Sequence, residues 1–111
     1  MAKKINEKNT EVIIFLDRPR SVRFGHRALK KLSVLTNRKL NEAIQTDDFD
    51  LEELEKIMYC GLLSDAKENN ETITLEDMEE LLDKASSFNK IIDAMNEALE
   101  NAFSETENQK N

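Results

Sequence analysis

Reactive side chains are sparse in this 111-residue chain, which holds one histidine, His26, and one cysteine, Cys60. A histidine-based metal cluster needs several imidazoles at fixed spacing, so one histidine excludes it. A thiol–imidazole pair could join only Cys60 to His26. Cys60 falls in the apolar stretch Ile57-Met58-Tyr59-Cys60-Gly61-Leu62. There a free cysteine behaves as a small hydrophobe, whereas a nucleophilic thiol needs an electropositive, partly exposed setting. His26 lies between Arg23 and Arg27 at the start of a helical pattern and reads as a surface residue. Two isolated glycines, Gly25 and Gly61, cannot build a phosphate-cradling loop. The sequence thus calls for no catalytic residue, no cofactor and no metal, and it reads as a protein that acts by binding.

Two constellations remain to be weighed. The segment from Leu51 to Ala85 has the helix–loop–helix outline of an EF-hand. A calcium loop beginning at Asp65 would put Lys67 at its third position and Asn70 where glycine is required. Glu76 fits the twelfth position, but a lysine among the ligands opposes the cation. The second is the basic run Arg18-Pro19-Arg20-Ser21-Val22-Arg23-Phe24-Gly25-His26-Arg27-Ala28-Leu29-Lys30-Lys31. Clustered cations on a helix could contact nucleic-acid phosphates. They could equally meet acidic surface on a neighbouring helix or subunit. The charge balance favours the second use and makes a nucleic-acid partner unlikely: residues 1–39 hold eleven Lys/Arg against three Asp/Glu, residues 40–111 hold five against twenty, and the chain carries −7 overall. A molecule so divided can attract its own ends, within one subunit or between two.

Positioning elements follow from periodicity. Val12-Ile13-Ile14-Phe15-Leu16 is β-branched and aromatic, too short for a helix and closed by Asp17-Arg18-Pro19-Arg20. It is also the longest wholly apolar run, far below the roughly 20 residues of a membrane span. Val22-Arg23-Phe24 alternates as a half-exposed strand does. The spacing predicts a hairpin with strands over 11–16 and 21–24, and two strands alone are marginal, so it must lie on helices or pair with another chain. Ala28, Leu29, Leu32 and Leu35 then mark a helix face, and Leu40 and Ile44 a short further turn before the acidic loop 47–49. Asp50 with Glu53 is a capping-box-like start to a helix carrying Leu51, Leu54, Ile57, Met58, Gly61 and Leu62 on one stripe. Lys67 to Glu71 reads as a loop. Thr74 is the expected N-cap of the next helix, Ser86-Ser87 its interruption, and Phe88 to Phe103 the last amphipathic stretch. The reading is an α+β, predominantly α-helical protein: an N-terminal hairpin, about 11–24, then three to four packed helices, about 25–36, 51–66, 75–85 and 88–103. It is one domain over 11–103, with polar, disordered ends at 1–10 and 104–111. With no tryptophan and only six other aromatic residues, the core must come mainly from aliphatic side chains between helices. The N-terminal residues lack the apolar stretch of a signal peptide, so the expected location is the cytoplasm, with no membrane partner.

The order of these elements carries a resemblance. Phe24-Gly25-His26-Arg27-Ala28-Leu29-Lys30-Lys31-Leu32 leads to Leu35-Thr36-Asn37-Arg38-Lys39-Leu40-Asn41-Glu42-Ala43. Phe49-Asp50-Leu51-Glu52-Glu53-Leu54-Glu55-Lys56-Ile57-Met58-Tyr59-Cys60-Gly61-Leu62-Leu63 follows, then Ile73-Thr74-Leu75-Glu76-Asp77-Met78-Glu79-Glu80-Leu81-Leu82-Asp83. Over about residues 11–85 the chain resembles the tail assembly chaperones of long-tailed phages and prophages. Asn37 stands where that family commonly has glycine, and asparagine also tolerates the left-handed conformation. The resemblance implies a non-enzymatic, self-associating helper in the host cytoplasm, absent from the finished virion. It implies binding to the tape measure protein and recruitment of tail tube protein. The alternative is a small prophage regulator using residues 18–39 on nucleic acid. The candidate self-association or partner surface comprises Arg18, Arg20, Arg23, Arg27, Lys30 and Lys31, with Met58, Leu62, Met78 and Met95 on the apolar stripes.

Overall fold

The computed structural model describes residues 11–36 and 50–110, with side chains as far as Phe103. Expectations for residues 1–10, for Leu40 and Ile44, and for the loop 47–49 lie outside the described residues. Strands β1 (Val12–Phe15) and β2 (Pro19–Val22) form an antiparallel hairpin, followed by helices α1 (His26–Thr36), α2 (Leu51–Glu68), α3 (Asp77–Leu82) and α4 (Phe88–Lys110). The protein is α+β and mostly helical.

β2 lies two residues earlier than the alternation of Val22 and Phe24 predicts. Pairing runs Val12 with Val22, Ile13 with Ser21, Ile14 with Arg20 and Phe15 with Pro19. The turn is therefore Leu16–Arg18, closed by the Leu16 N–H donating to Arg18 O at 3.1 Å. Pro19 opens the strand, a position where a missing N–H does least harm to a ladder. Val12, Ile14, Arg20 and Val22 share the buried face, and Ile13 and Phe15 point outward.

Helix boundaries follow their local chemistry. Asp50 caps α2, its Oδ1 accepting from the Glu53 N–H at 2.9 Å. Thr74 and Asp77 cap each other: Thr74 N–H donates to Asp77 Oδ2 at 2.8 Å and Asp77 N–H to Thr74 Oγ1 at 3.3 Å. This is the geometry of a capping box. Regular helix α3 is shorter than the expected 75–85, because its ends tighten into i→i+3 turns, such as Ala85 N–H to Leu82 O at 3.1 Å. Ser86-Ser87 does separate α3 from α4, and the Ser87 hydroxyl accepts from Lys90 N–H at 3.3 Å. α4 continues to Lys110, past the expected end at 103. Glu, Gln, Asn and Lys supply no glycine or proline to stop it.

The hairpin is seated on helices, as two marginal strands require. β2 packs on α2 and β1 on α4, while α1 covers another side of α2. One core joins Val12, Val22 and Phe24 to Leu32, Met58, Leu62, Met78 and Met95. At the seam between β2 and α2 lies Gly61. A Cβ there would sit 2.8 Å from Phe24 Cζ and 2.8 Å from Val22 Cγ1. Its carbonyl accepts the Arg23 N–H at 2.9 Å, and one helical turn on, Asp65 Oδ1 accepts the Ser21 N–H at 3.2 Å. The Ser21 N–H of β2 and the Arg23 N–H just past its end are thus satisfied by α2, which covers an edge otherwise open to foreign strands.

This seam gives a direct test. Gly61→Ala gains about 1 kcal/mol of helix propensity. It nonetheless overfills a gap closed by two core side chains, for a net loss of about 1–3 kcal/mol. Gly25→Ala meets only the far end of the long Arg23 side chain, which can yield, and should change little. Urea midpoints of the two variants measure the difference, and equal midpoints would refute close packing at Gly61.

Candidate functional site

Two features built from titratable groups surround the hairpin–helix seam. One is a cluster of five charges. Arg20, on the inner face of β2 and 4% exposed, grips Asp17 with a two-pronged fork, Nε to Oδ1 at 2.7 Å and Nη2 to Oδ2 at 2.9 Å. Its Nη1 donates to Glu71 Oε1 at 3.0 Å and lies 3.6 Å from Asp65 Oδ2. Arg18 donates from Nη2 to Asp65 Oδ2 at 2.6 Å, and from Nη2 and Nε to the two Glu71 oxygens at 3.0 and 3.1 Å.

Local structure brings these groups together. Asp65 lies on the face of α2 one turn beyond Gly61. Glu71 is delivered by the helix end: Glu71 N–H bonds to Ala66 O at 2.8 Å and Asn70 N–H to Lys67 O at 3.2 Å. Asn70 takes a left-handed φ of 58°. This is a Schellman ending with asparagine in the glycine position, and it folds the chain back toward Asp65. Asn69-Asn70 directly after a helical stripe was the readable signal, although the segment reads at first as plain loop.

The cluster fixes its own ionisation. Hydrogen bonds from Arg20 hold the Asp17 carboxyl below its ordinary 3.8, and those from Arg18 hold Glu71 below 4.5. Bonds to Glu71 and Asp65 raise Arg18, and bonds to Asp17 raise Arg20. Among the described residues no buried side-chain nitrogen or oxygen lacks a partner. The buried polar atoms of the cluster are therefore all engaged within the fold.

The second feature is a half-open groove of about 820 Å³ between α1 and the C-terminal half of α2. Half-buried Ala28, Leu63 and Ile73 line it, together with exposed Arg23, Arg27, Lys31 and Lys67. The Arg23 guanidinium folds against Gly25, where a Cβ would lie 2.9 Å from its Nη1. It thus adds its charge to the positive end of α1. Lys31 Nζ sits 5.9 Å from the centre of the Tyr59 ring, within cation–π range.

The predicted surface residues divide into three sets. Arg18 and Arg20 are committed to carboxylates. Arg23, Arg27 and Lys31 line the groove, and Lys30 is exposed on α1. Met58, Leu62, Met78 and Met95 are no more than 2% exposed, so they fill the core and present no face. Lys67, Leu63 and Ile73 join the groove without having been singled out, because only the packing of α1 on α2 brings them beside Arg27. Cys60 is buried, and that burial pushes its thiol up to about 11, against a smaller opposing effect of Lys31. Such a thiol is a poor nucleophile at neutral pH. Asp65, the would-be first calcium ligand, is bound by two arginines instead. Among the described residues no group of three His, Cys, Asp or Glu could hold a metal ion, and no helix is long and apolar enough to cross a membrane.

Both depressed carboxyl groups bind protons more weakly folded than unfolded. Their stabilisation is complete above about pH 5 and is lost as pH falls through the folded values. The double variant Asp17→Asn/Glu71→Gln should therefore lose less stability between about pH 5 and pH 3 than the parent chain. Denaturation midpoints across that range measure it, and identical pH profiles would refute the pairing. Comparison of the chain with protein-family models, with curated proteins and with solved structures finds no match.

Proposed function

We propose that this protein is a non-enzymatic tail assembly chaperone of a long-tailed phage or prophage. On this reading it binds the tape measure protein in the host cytoplasm, keeps that helical client soluble and helps recruit tail tube protein. The observation that carries the reading is the groove between α1 and α2. Its apolar lining and charged rim suit helix-in-groove recognition, in which an amphipathic helix lays its apolar face between two others. The sequence resemblance over residues 11–85 supplies the identity of the client, and the order hairpin, helix, helix, short helix agrees with it. Self-association belongs to the same reading and is supported by the division of charge along the chain.

A nucleic-acid-binding regulator is the second reading, favoured by exposed Arg23, Arg27, Lys30 and Lys31 on α1 and its approach. It is weakened because Arg18 and Arg20, the first cations of the basic run, are neutralised by Asp17, Asp65 and Glu71.

Co-expression with the tape measure protein of the same tail gene cluster tests the proposal. The client should move from the insoluble to the soluble fraction and co-purify with this chain. A client that stays insoluble, or is soluble without forming a complex, contradicts the chaperone reading. Salt-sensitive retardation of duplex DNA at about 150 mM salt would favour the regulator instead.

A further inference from the structure

We infer that the groove between α1 and α2 selects an amphipathic helix whose polar face is acidic. The inference rests on the chaperone reading for the client's identity, but its chemistry comes from the groove. About three turns of a helix some 10 Å across, seated to half its thickness, displace several hundred Å³, which the groove's volume of about 820 Å³ accommodates. Ala28, Leu63 and Ile73 offer that helix an apolar bed.

The rim sets the sign of the partner. Arg23 comes from the segment before α1, Arg27 and Lys31 from α1, and Lys67 from the last turn of α2. The carboxylate among the lining residues is Glu71, and both its oxygens already accept from Arg18, one of them also from Arg20. Among the described residues these four cations form no ion pair with a carboxylate, and the positive end of α1 adds to them, on a chain whose net charge is −7. Their mutual repulsion is relieved by an anionic partner and increased by a cationic one, so the groove discriminates by repulsion as well as attraction. A phosphate backbone could satisfy the rim but presents no apolar ridge to the lining. An acidic amphipathic helix satisfies both.

Two labelled synthetic helices of about 18 residues test this. They share one Leu/Ala stripe and differ in having Glu or Lys over the polar face. Fluorescence anisotropy with the full chain should show the Glu helix binding at least about tenfold more tightly than the Lys helix. Arg27→Glu/Lys67→Glu, at two exposed positions, should abolish that preference while leaving the thermal midpoint near the parent value. Equal binding, preference for the Lys helix, or no binding of the Glu helix overturns the inference. So does displacement of the Glu helix by duplex DNA at matched charge. Loss of self-association in the charge-reversed variant, without loss of peptide binding, assigns the rim to a second copy of the chain and also overturns it. Should the Glu helix fail while the tape measure protein still co-purifies, the inference falls alone. Should the Glu helix bind while co-purification fails, the chaperone reading falls alone.

Discussion

Arg20 occupies a position on the inner face of the hairpin where a hydrophobic residue would ordinarily stand, opposite Ile14 and beside Val22. Burying a guanidinium is costly unless charge and hydrogen bonds compensate it. Here Asp17 supplies a planar fork and Glu71 a third bond, and Arg18 completes the ring through Asp65. The arrangement works only in one register. A slip of one residue would turn Arg20 outward and Ser21 inward, and would leave Asp65, itself 7% exposed, facing no charge. The cluster therefore determines where a two-stranded sheet, too small to define its own position, meets the helices.

The remaining architecture depends on that docking. With the hairpin turn held at Asp65 and Glu71, Ser21 and Arg23 present their N–H groups to α2, and Gly61 lets Val22 and Phe24 approach within contact of the helix backbone. Phe24 then leads through Gly25 into α1, which packs on α2 beside the groove. Docking also sorts the cations. Arg18 and Arg20 are consumed in holding the fold, whereas Arg23, Arg27, Lys31 and Lys67 are left to face whatever the groove takes. Among the described residues, the cations of the basic run thus fall into two populations, one holding the fold and one exposed.

Much of the fold was legible from residue types. The Asp50 cap, the Thr74 start, the Ser86-Ser87 break and the apolar stripes of α2 and α4 each rest on local chemistry that a short window contains. β2 was misplaced because Pro19 reads as a turn, and only pairing with Phe15 reveals it as the first residue of a strand. α4 outran its expected end because a polar composition signals exposure but does not terminate a helix. The site was less legible, for a clear physical reason. That Arg18 and Arg20 should meet carboxylates was one of two readings of the basic run, but nothing in sequence distance links them to Asp65 and Glu71. Met58, Leu62, Met78 and Met95 sat on stripes that could equally face a client or the core, and periodicity alone does not say which side is covered. Lys67 and Ile73 became part of the groove only through the packing of α1 on α2, a contact that no short window of sequence contains.

A hairpin clamped to α2 in this way should open with that helix as one cooperative unit. Native-state hydrogen exchange at the Ser21 and Arg23 amides measures this most directly, since both donate across the seam, to Asp65 and Gly61. Opening free energies for these amides should lie within about 1 kcal/mol of those in the middle of α2. Exchange of the two amides through a low-energy opening, while α2 stays protected, would mean that the hairpin detaches by itself and would contradict the account.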